Sequence, residues 1–191
     1  MYILFEGIDT CGKSTQIEIM HQKHPELITT KEPGGSAFGI KAREILLQDR
    51  LHSDRAELLL FLADRAEHYE VVIKPNKDRL ILSDRGFISG IAYALANGNF
   101  ELDTLLSLNR FALQDTLPDR VILFLIDRET LQARTHAKKL DAIEDRGLEY
   151  LMRVQEYMKK SIEALGIPHL FIDATDDRES IHQIIDDYLR R

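Results

Sequence analysis

Short apolar runs alternate along the chain with longer amphipathic stretches. The short runs are rich in Ile, Leu, Val and Phe, as strands are when both faces of a parallel sheet are buried, and they lie at 2–5, 27–30, 80–82, 121–126 and 170–172. Helical periodicity between and after them predicts helices, each long enough for a right-handed crossover, at about 13–24, 37–48, 54–73, 101–115, 129–136, 146–165 and 177–190. The pattern therefore predicts a three-layer α/β fold in which helices flank a five-stranded parallel sheet.

The length and composition are those of one globular domain. At about 150 residues per domain, a chain of 191 residues is closer to one domain than to two, so we expect residues 1–191 to form a single domain. Hydrophobic residues make up 44% of the chain and charged residues 30%, which argues against a fibrous or disordered protein. The longest apolar run is far shorter than the roughly 18–20 residues that cross a bilayer. The single cysteine, Cys11, cannot form an internal disulfide, so we expect a cytoplasmic protein with no membrane partner.

The charge balance is acidic and limits the classes of partner. Lys and Arg number 25 against 32 Asp and Glu, a formal net charge of −7, which argues against a protein that coats a nucleic-acid backbone. A small anionic ligand stays compatible with this balance, because a few basic side chains in a cleft dominate the local field. The seven histidines show no spacing typical of a zinc site, so no protein-bound zinc is expected.

The segment after the first predicted strand carries the most specific motif. Residues 7–15 read GIDTCGKST, a full match to G-x-x-x-x-G-K-[ST] at a strand-to-helix junction. Its glycines let the backbone curl so that successive N–H groups face phosphate oxygens. Lys13 would reach the β- and γ-phosphates, and the Ser14 hydroxyl would bind Mg²⁺. The motif predicts a P-loop NTPase fold that binds a nucleoside triphosphate, which is ATP if the chain is a kinase, through Gly7, Ile8, Asp9, Thr10, Cys11, Gly12, Lys13, Ser14 and Thr15.

Two further carboxylates follow predicted strands. Asp84 ends the third strand with Arg85 beside it, where ligands of open α/β sheets bind, so we favour Asp84 as the carboxylate of the Mg²⁺ or phosphate site. Asp127 follows the fourth strand and is either a second such carboxylate or the N-cap of the next helix. A GTP-dependent switch is disfavoured, because the nearest string to the N-K-x-D guanine motif, NKDR at 76–79, has arginine in the last position.

Beyond the P-loop, an ordered set of shorter motifs resembles the thymidylate kinase family. The set consists of FEGID at 5–9, KEPGG at 31–35, Arg43 within GIKAREILL at 39–47, LFLADR at 60–65, DR at 84–85 followed by Ser89 and Tyr93, LPD at 117–119, and LDAIE at 140–144. The resemblance extends from residue 5 to the C-terminal helix. It implies a P-loop nucleoside monophosphate kinase that transfers the γ-phosphoryl group of ATP to dTMP, giving dTDP for DNA precursors, and that forms a homodimer.

The resemblance also implies an acceptor site. Arg43 and Arg85 would clamp the acceptor 5′-phosphate with their paired donors. Phe61 would stack on the thymine ring, and Arg65, one helical turn later, would donate to a base carbonyl. Asp9 would meet the sugar 3′-hydroxyl and share with Ser14 in holding Mg²⁺, Tyr93 would crowd the 2′ position, and Ser89 would contact the base. The full implied dTMP site is Asp9, Glu32, Arg43, Phe61, Arg65, Arg85, Ser89 and Tyr93.

The segment 137–145 is polar with weak periodicity, which is typical of a mobile lid or of a solvated linker. The resemblance implies that a cation in or beside this segment, Arg134, Lys138 or Lys139, supplies charge to the transferred group. Together with Lys13, Asp84 and Arg85, these three are the expected catalytic residues. Each of the two lysines could instead belong to a solvated charged face.

Some positions depart from the family, and alternatives stay open. Gly86, Gly90 and Ala142 stand where relatives carry larger or charged residues, and Gln114 is a candidate replacement for a base-contacting amide. A kinase of another nucleoside monophosphate and a nucleotide-regulated switch are the competing functions. The implied homodimer would use the apolar helices around 58–62 and 105–113, which are ordinary core in the simpler interpretation.

Overall fold

The computed structural model describes residues 1–48, 51–135 and 146–190. The elements follow in the order β1 (Tyr2–Glu6), α1 (Lys13–Lys23), β2 (Ile28–Lys31), α2 (Ala37–Gln48), α3 (Asp54–His68), β3 (Ile81–Asp84), α4 (Phe87–Asn97), α5 (Leu102–Ala112), β4 (Arg120–Leu125), α6 (Arg128–Thr135), α7 (Leu148–Leu165), β5 (His169–Asp173) and α8 (Arg178–Leu189). A π-helical turn at Tyr69–Ile73 and a 3₁₀ turn at Lys74–Asn76 extend α3. Among the described residues, no helix has the length and apolar character needed to cross a membrane.

The five strands form one sheet in the order β2-β3-β1-β4-β5, and every neighbouring pair is parallel. This confirms the predicted five-stranded parallel sheet between helices, and each predicted strand is correct to within two residues. All five residues of β1 are buried, as expected for the central strand.

The register of the strands brings the loops of the site to one edge of the sheet. Phe5 pairs with Asp84 across β1 and β3, and Lys31 pairs with Asp84 across β2 and β3. The carboxyl ends of these three strands are therefore level, and the segments that follow them meet at the edge where open parallel sheets bind ligands.

Among the α-helices and strands of the described residues, helix α4 is the one that the sequence pattern missed. Its sequence, FISGIAYALAN, is apolar nearly all round, and most of its side chains are buried. The helix carries no charged residue, so it lacks the strongly polar face by which amphipathic helices are recognised in a sequence. The helix ends at Gly98, whose φ of 80° is left-handed.

The structure also decides the role of Asp127. Its carboxylate accepts from the Thr130 backbone N–H at 2.8 Å and from the Thr130 hydroxyl at 2.9 Å, which caps the start of α6. These hydrogen bonds lower the pKa of the Asp127 carboxyl. The N-cap interpretation is confirmed.

Candidate functional site

The phosphate loop follows the central strand and leads into α1. Gly7 and Gly12 have φ values of 145° and 95°, in the region that favours glycine. A Cβ at Gly7 would lie 2.8 Å from both the Cys11 sulfur and the Phe124 carbonyl oxygen, so no larger residue fits there. The loop thus reaches the N-terminus of α1 in the tight curl that binds phosphate oxygens.

Lys13, the first residue of α1, is buried and held within the loop. Its Nζ donates to the Ile8 carbonyl at 2.9 Å and lies 3.5 Å from the Cys11 sulfur. A positive charge is therefore fixed inside the curve of the loop, where developing charge on a phosphoryl group can be stabilised without rearrangement.

Ser14 and Asp84 meet beside this loop. The Ser14 hydroxyl donates to the Asp84 carboxylate, which joins the start of α1 to the end of β3. A hydroxyl and a carboxylate are oxygen ligands of the kind that Mg²⁺ prefers. The donor set therefore fits Mg²⁺.

Arg85 connects the phosphate loop with α4. Its Nη1 donates to the Gly7 carbonyl at 2.6 Å and to the Ser89 hydroxyl at 3.1 Å, and its Nη2 donates to Asp9 Oδ1 at 2.8 Å. The φ of Arg85 is 70°, a left-handed conformation that is sparsely populated outside glycine. Such strain is typical of functional positions held by their surroundings.

Glu6 lies buried beneath Arg85 at the end of β1. The Ser89 hydroxyl donates to its Oε2, and the Ser89 backbone N–H lies 3.3 Å from its Oε1. Burial raises the pKa of the Glu6 carboxyl, and the bonds from Ser89 oppose that shift. Glu6 therefore fastens the start of α4 to the central strand.

A cleft opens on the other side of Arg85, lined by side chains from several separate segments. All eight residues of the implied acceptor site contribute to its wall, together with Pro33, Leu47, Gly86 and Gly90. Asp9, Glu32, Arg43 and Arg85 also line the neighbouring cleft at the phosphate loop. The two clefts thus share a wall of two carboxylates and two guanidinium groups.

Arg65 lies in the acceptor cleft as part of a buried polar network. Its Nε donates to Glu32 Oε2 at 2.8 Å, and its Nη1 donates to Asn109 Oδ1 at 2.6 Å. The other oxygen of Glu32 lies 2.8 Å from His68 Nδ1, and His68 Nε2 lies 2.6 Å from the Thr30 hydroxyl. Burial alone would raise the pKa of the Glu32 carboxyl, but Arg65 and His68 outweigh it and lower that pKa.

Asp64, beside Arg65 on α3, supports the loop that follows β2. Its Oδ1 accepts from the Gly34 backbone N–H at 3.1 Å, whereas its Oδ2 is buried without a hydrogen-bond partner in the described part of the chain. Burial and the nearby Glu32 charge raise the pKa of Asp64 to about 6. Arg43 reaches the same loop, since its Nη1 donates to the Pro33 carbonyl at 3.0 Å.

Of the three cations expected in or beside the predicted lid, only Arg134 lies in the described residues. Its Nη1 donates to the Thr10 carbonyl of the phosphate loop at 3.1 Å, and its Nη2 donates to the Ala174 carbonyl at 2.9 Å. Lys138 and Lys139, with the predicted lid at 137–145, lie outside the described residues.

Comparison with known proteins identifies the family. A family model described as thymidylate kinase matches residues 5–185. The thymidylate kinase of Sulfurovum sp. (strain NBC37-1) is 70% identical over 190 residues and covers 100% of both chains. That of Campylobacter concisus (strain 13826) is 53% identical over 192 residues, covering 99% of this chain and 98% of the relative.

The chain belongs to the thymidylate kinase family. A crystal structure of thymidylate kinase from Ehrlichia chaffeensis has the same fold, with a TM-score of 0.79 at 25% identity over 100% of this chain and 98% of that one. The chain is therefore a kinase, and the role of its family is the phosphorylation of dTMP to dTDP.

Within this family site, sequence reasoning missed three buried polar residues: Glu6, which bonds to Ser89, and His68 and Asn109, which belong to the network around Arg65. Asn109 carried a signal, because it shares a buried face of α5 with Leu105 and Ala112, where apolar residues are expected. The candidate amide Gln114 is exposed instead, and its Nε2 donates to Glu70 at 3.0 Å, outside the acceptor cleft wall.

Proposed function

We propose that this chain transfers the γ-phosphoryl group of ATP to the 5′-phosphate of dTMP, giving ADP and dTDP. The observation that carries the proposal is the wall shared by the phosphate-loop cleft and the acceptor cleft, which includes Arg43 and Arg85. A triphosphate on the loop would end where these guanidinium groups hold the acceptor phosphate. Their paired donors match phosphate oxygens.

The chemistry needs alignment more than a base. A phosphate monoester has a second pKa near 6, so the attacking oxygen of dTMP is already mostly deprotonated at neutral pH. Arg43 and Arg85 would align the two repelling anions, while Lys13 and Arg134 would stabilise charge on the transferred group. Arg134 is suited to this role because it is anchored on the phosphate-loop carbonyl of Thr10.

Mg²⁺ bound with ATP would be held by Ser14, and through water by Asp84 and Asp9. The bound ion would neutralise charge on the phosphate oxygens. Asp9 Oδ1 is paired with Arg85, which favours a contact through water for this carboxylate.

On the acceptor side, Phe61 would stack on thymine and Arg65 would donate to a base carbonyl. Both side chains lie on the cleft face of α3, one turn apart. Ser89 and Tyr93 would close the cleft from α4. Glu32 would act through Arg65, because both of its oxygens are engaged, one by Arg65 and the other by His68.

The proposal is tested by following ADP release from Mg-ATP with each monophosphate in turn. We expect rapid release with dTMP and slow release with CMP, GMP or no acceptor. Release that no acceptor stimulates would favour the nucleotide-regulated switch. Faster release with CMP or GMP would favour another monophosphate kinase.

We further propose that residues 1–191 act as one cytoplasmic domain that forms a homodimer. The dimer is supported by exposed apolar side chains on the helices named for it: Phe111 on α5 is 85% exposed and Leu59 on α3 is 60% exposed. Burial of such side chains against a second copy would remove apolar area from water. Light scattering tests this, with Phe111→Ser expected to shift the protein toward monomer.

A further inference from the structure

Arg65 must be held in one plane if it is to select a base. A guanidinium carries five N–H groups in a flat fork, so its value in recognition depends on the orientation of that plane. The side chain of Arg65 is 2% exposed and lines the acceptor cleft, and a Cβ on Gly90 would lie 3.1 Å from its Nη2 and 3.2 Å from its Nη1. The N–H groups that would face bound dTMP are thus at the end of the side chain farthest from the backbone.

Glu32 alone leaves that plane weakly defined. It accepts from Nε through one oxygen, and its other oxygen is used by His68. A single hydrogen bond on Nε fixes the distance but still permits the guanidinium to tilt. The second bond, from Nη1 to Asn109 Oδ1 at 2.6 Å, acts on a different nitrogen and removes that freedom.

Asn109 is itself held in a single orientation. Its Nδ2 donates to the Leu105 carbonyl at 2.7 Å, so its Oδ1 is the atom that faces Arg65. The residue is 1% exposed on α5, which is fixed against α3 and α4 by packing. Its amide therefore acts as a rigid acceptor supplied by a helix that adds no residue to the cleft wall.

We propose that Asn109 is a positioning residue that holds the guanidinium of Arg65 toward the acceptor base, and so contributes to selection of a base with a carbonyl there over one with an amino group. The inference rests on the proposed function, in which Arg65 donates to the base. An amino group in that position would face the N–H groups of Arg65, and two sets of donors cannot form a hydrogen bond. The N–H groups of Arg65 would then be left unpaired, which disfavours binding of such a base.

The test compares Asn109→Leu, which removes the acceptor at similar size, with Asn109→Asp, which keeps it. We expect Asn109→Leu to raise KM for dTMP about 10-fold, in line with the loss of one hydrogen bond to a charged group, and to lower the dTMP to dCMP ratio of kcat/KM by a similar factor. KM for ATP should stay within about two-fold. Asn109→Asp should restore KM for dTMP to within about three-fold of the wild type.

Ser107→Ala is the matched control, because Ser107 is exposed on the same helix and its hydroxyl donates to the Asp103 carbonyl within that helix. If Asn109→Leu does not fold, Asn109→Ser, which adds no bulk beside Arg65, takes its place with the same expectation. An unchanged KM for dTMP, or equal changes for dTMP and ATP, would overturn the inference.

Arg65→Ala separates this inference from the proposed function. If Arg65→Ala leaves KM for dTMP unchanged, the proposed role of Arg65 fails. If Arg65→Ala raises that KM but Asn109→Leu does not, only the role of Asn109 fails. If Asn109 acts on dTMP binding through the guanidinium of Arg65, adding Asn109→Leu to Arg65→Ala should change KM for dTMP by less than about two-fold.

Discussion

The phosphate loop and the acceptor cleft adjoin each other but are built in different ways. The loop is one continuous segment, and the internal bond from Lys13 to Ile8 spans five residues of sequence. In the acceptor cleft, Arg65 bonds to partners 33 and 44 residues away, Glu32 and Asn109. A site made from one segment depends on local backbone geometry, whereas a site assembled from many depends on the packing of the whole sheet and its helices.

The strongest test of the donor side is Lys13→Ala. We expect kcat to fall about 10³-fold, because one preorganised charge in a water-excluded site contributes several kcal/mol to catalysis. Because Lys13 bonds within the phosphate loop and does not line the acceptor cleft, the Kd for dTMP measured by calorimetry without ATP should stay within about two-fold of the wild type. Lys160→Ala, at an exposed lysine of α7, serves as the control. Near-wild-type turnover in a folded Lys13→Ala protein would contradict the donor assignment.

Arg85→Ala tests the boundary between the two clefts. We expect KM for dTMP to rise about 100-fold, since a charge-assisted bond to phosphate contributes up to about 3 kcal/mol. KM for ATP should rise less than about 10-fold, through the lost bond to the Gly7 carbonyl. Arg85→Lys keeps the charge without the fork and should give an intermediate KM for dTMP. Equal rises for both substrates would mean that Arg85 is not an acceptor clamp.

Asp64→Asn tests whether the stability of the protein depends on the titration of this buried carboxyl on the acceptor side. The pKa of Asp64 is raised to about 6, so the folded protein holds this proton more tightly than the unfolded chain does. That contribution to stability is present at low pH and is lost as pH rises through about 6. It amounts to about 1.4 kcal/mol of unfolding free energy between pH 5 and pH 7.5.

Urea denaturation at the two pH values measures this effect. Asp64→Asn should remove that part of the pH dependence, whereas Asp187→Asn, at an exposed position of α8, should keep it. The same pH dependence in Asp64→Asn as in the wild type would show that Asp64 does not titrate in this range.

Gly90→Ala should have the smallest effect and should act on the acceptor side alone. A Cβ there would lie 3.1 Å from Nη2 of Arg65, which Glu32 and Asn109 keep from moving away. We expect KM for dTMP to rise about three-fold, while the melting temperature holds or rises because alanine favours helix by up to about 1 kcal/mol over glycine. An unchanged KM for dTMP would mean that Arg65 tolerates displacement.

The sequence by itself determined the sheet, most of the helices and the whole phosphate loop. The alternation of apolar and polar residues reflects which positions are buried, and the motif GIDTCGKST occupies only residues 7–15. Both signals are contained within one segment, so they can be read without knowing what packs against it. The resemblance to the family then indicated the residues that line the acceptor cleft. It said nothing of Asn109 or His68, because they lie behind the wall.

Only the tertiary structure decided α4 and the network behind Arg65. Most side chains of helix α4 are buried and none is charged, so its sequence has no strongly polar face to reveal it. Glu32, Arg65 and Asn109 come from a strand end and two helices, and the cost of burying each polar side chain is offset by its hydrogen bonds, most of them to the other members of the network. The packing of elements distant in sequence brings these partners together, and no pattern within a single segment indicates which residues will meet.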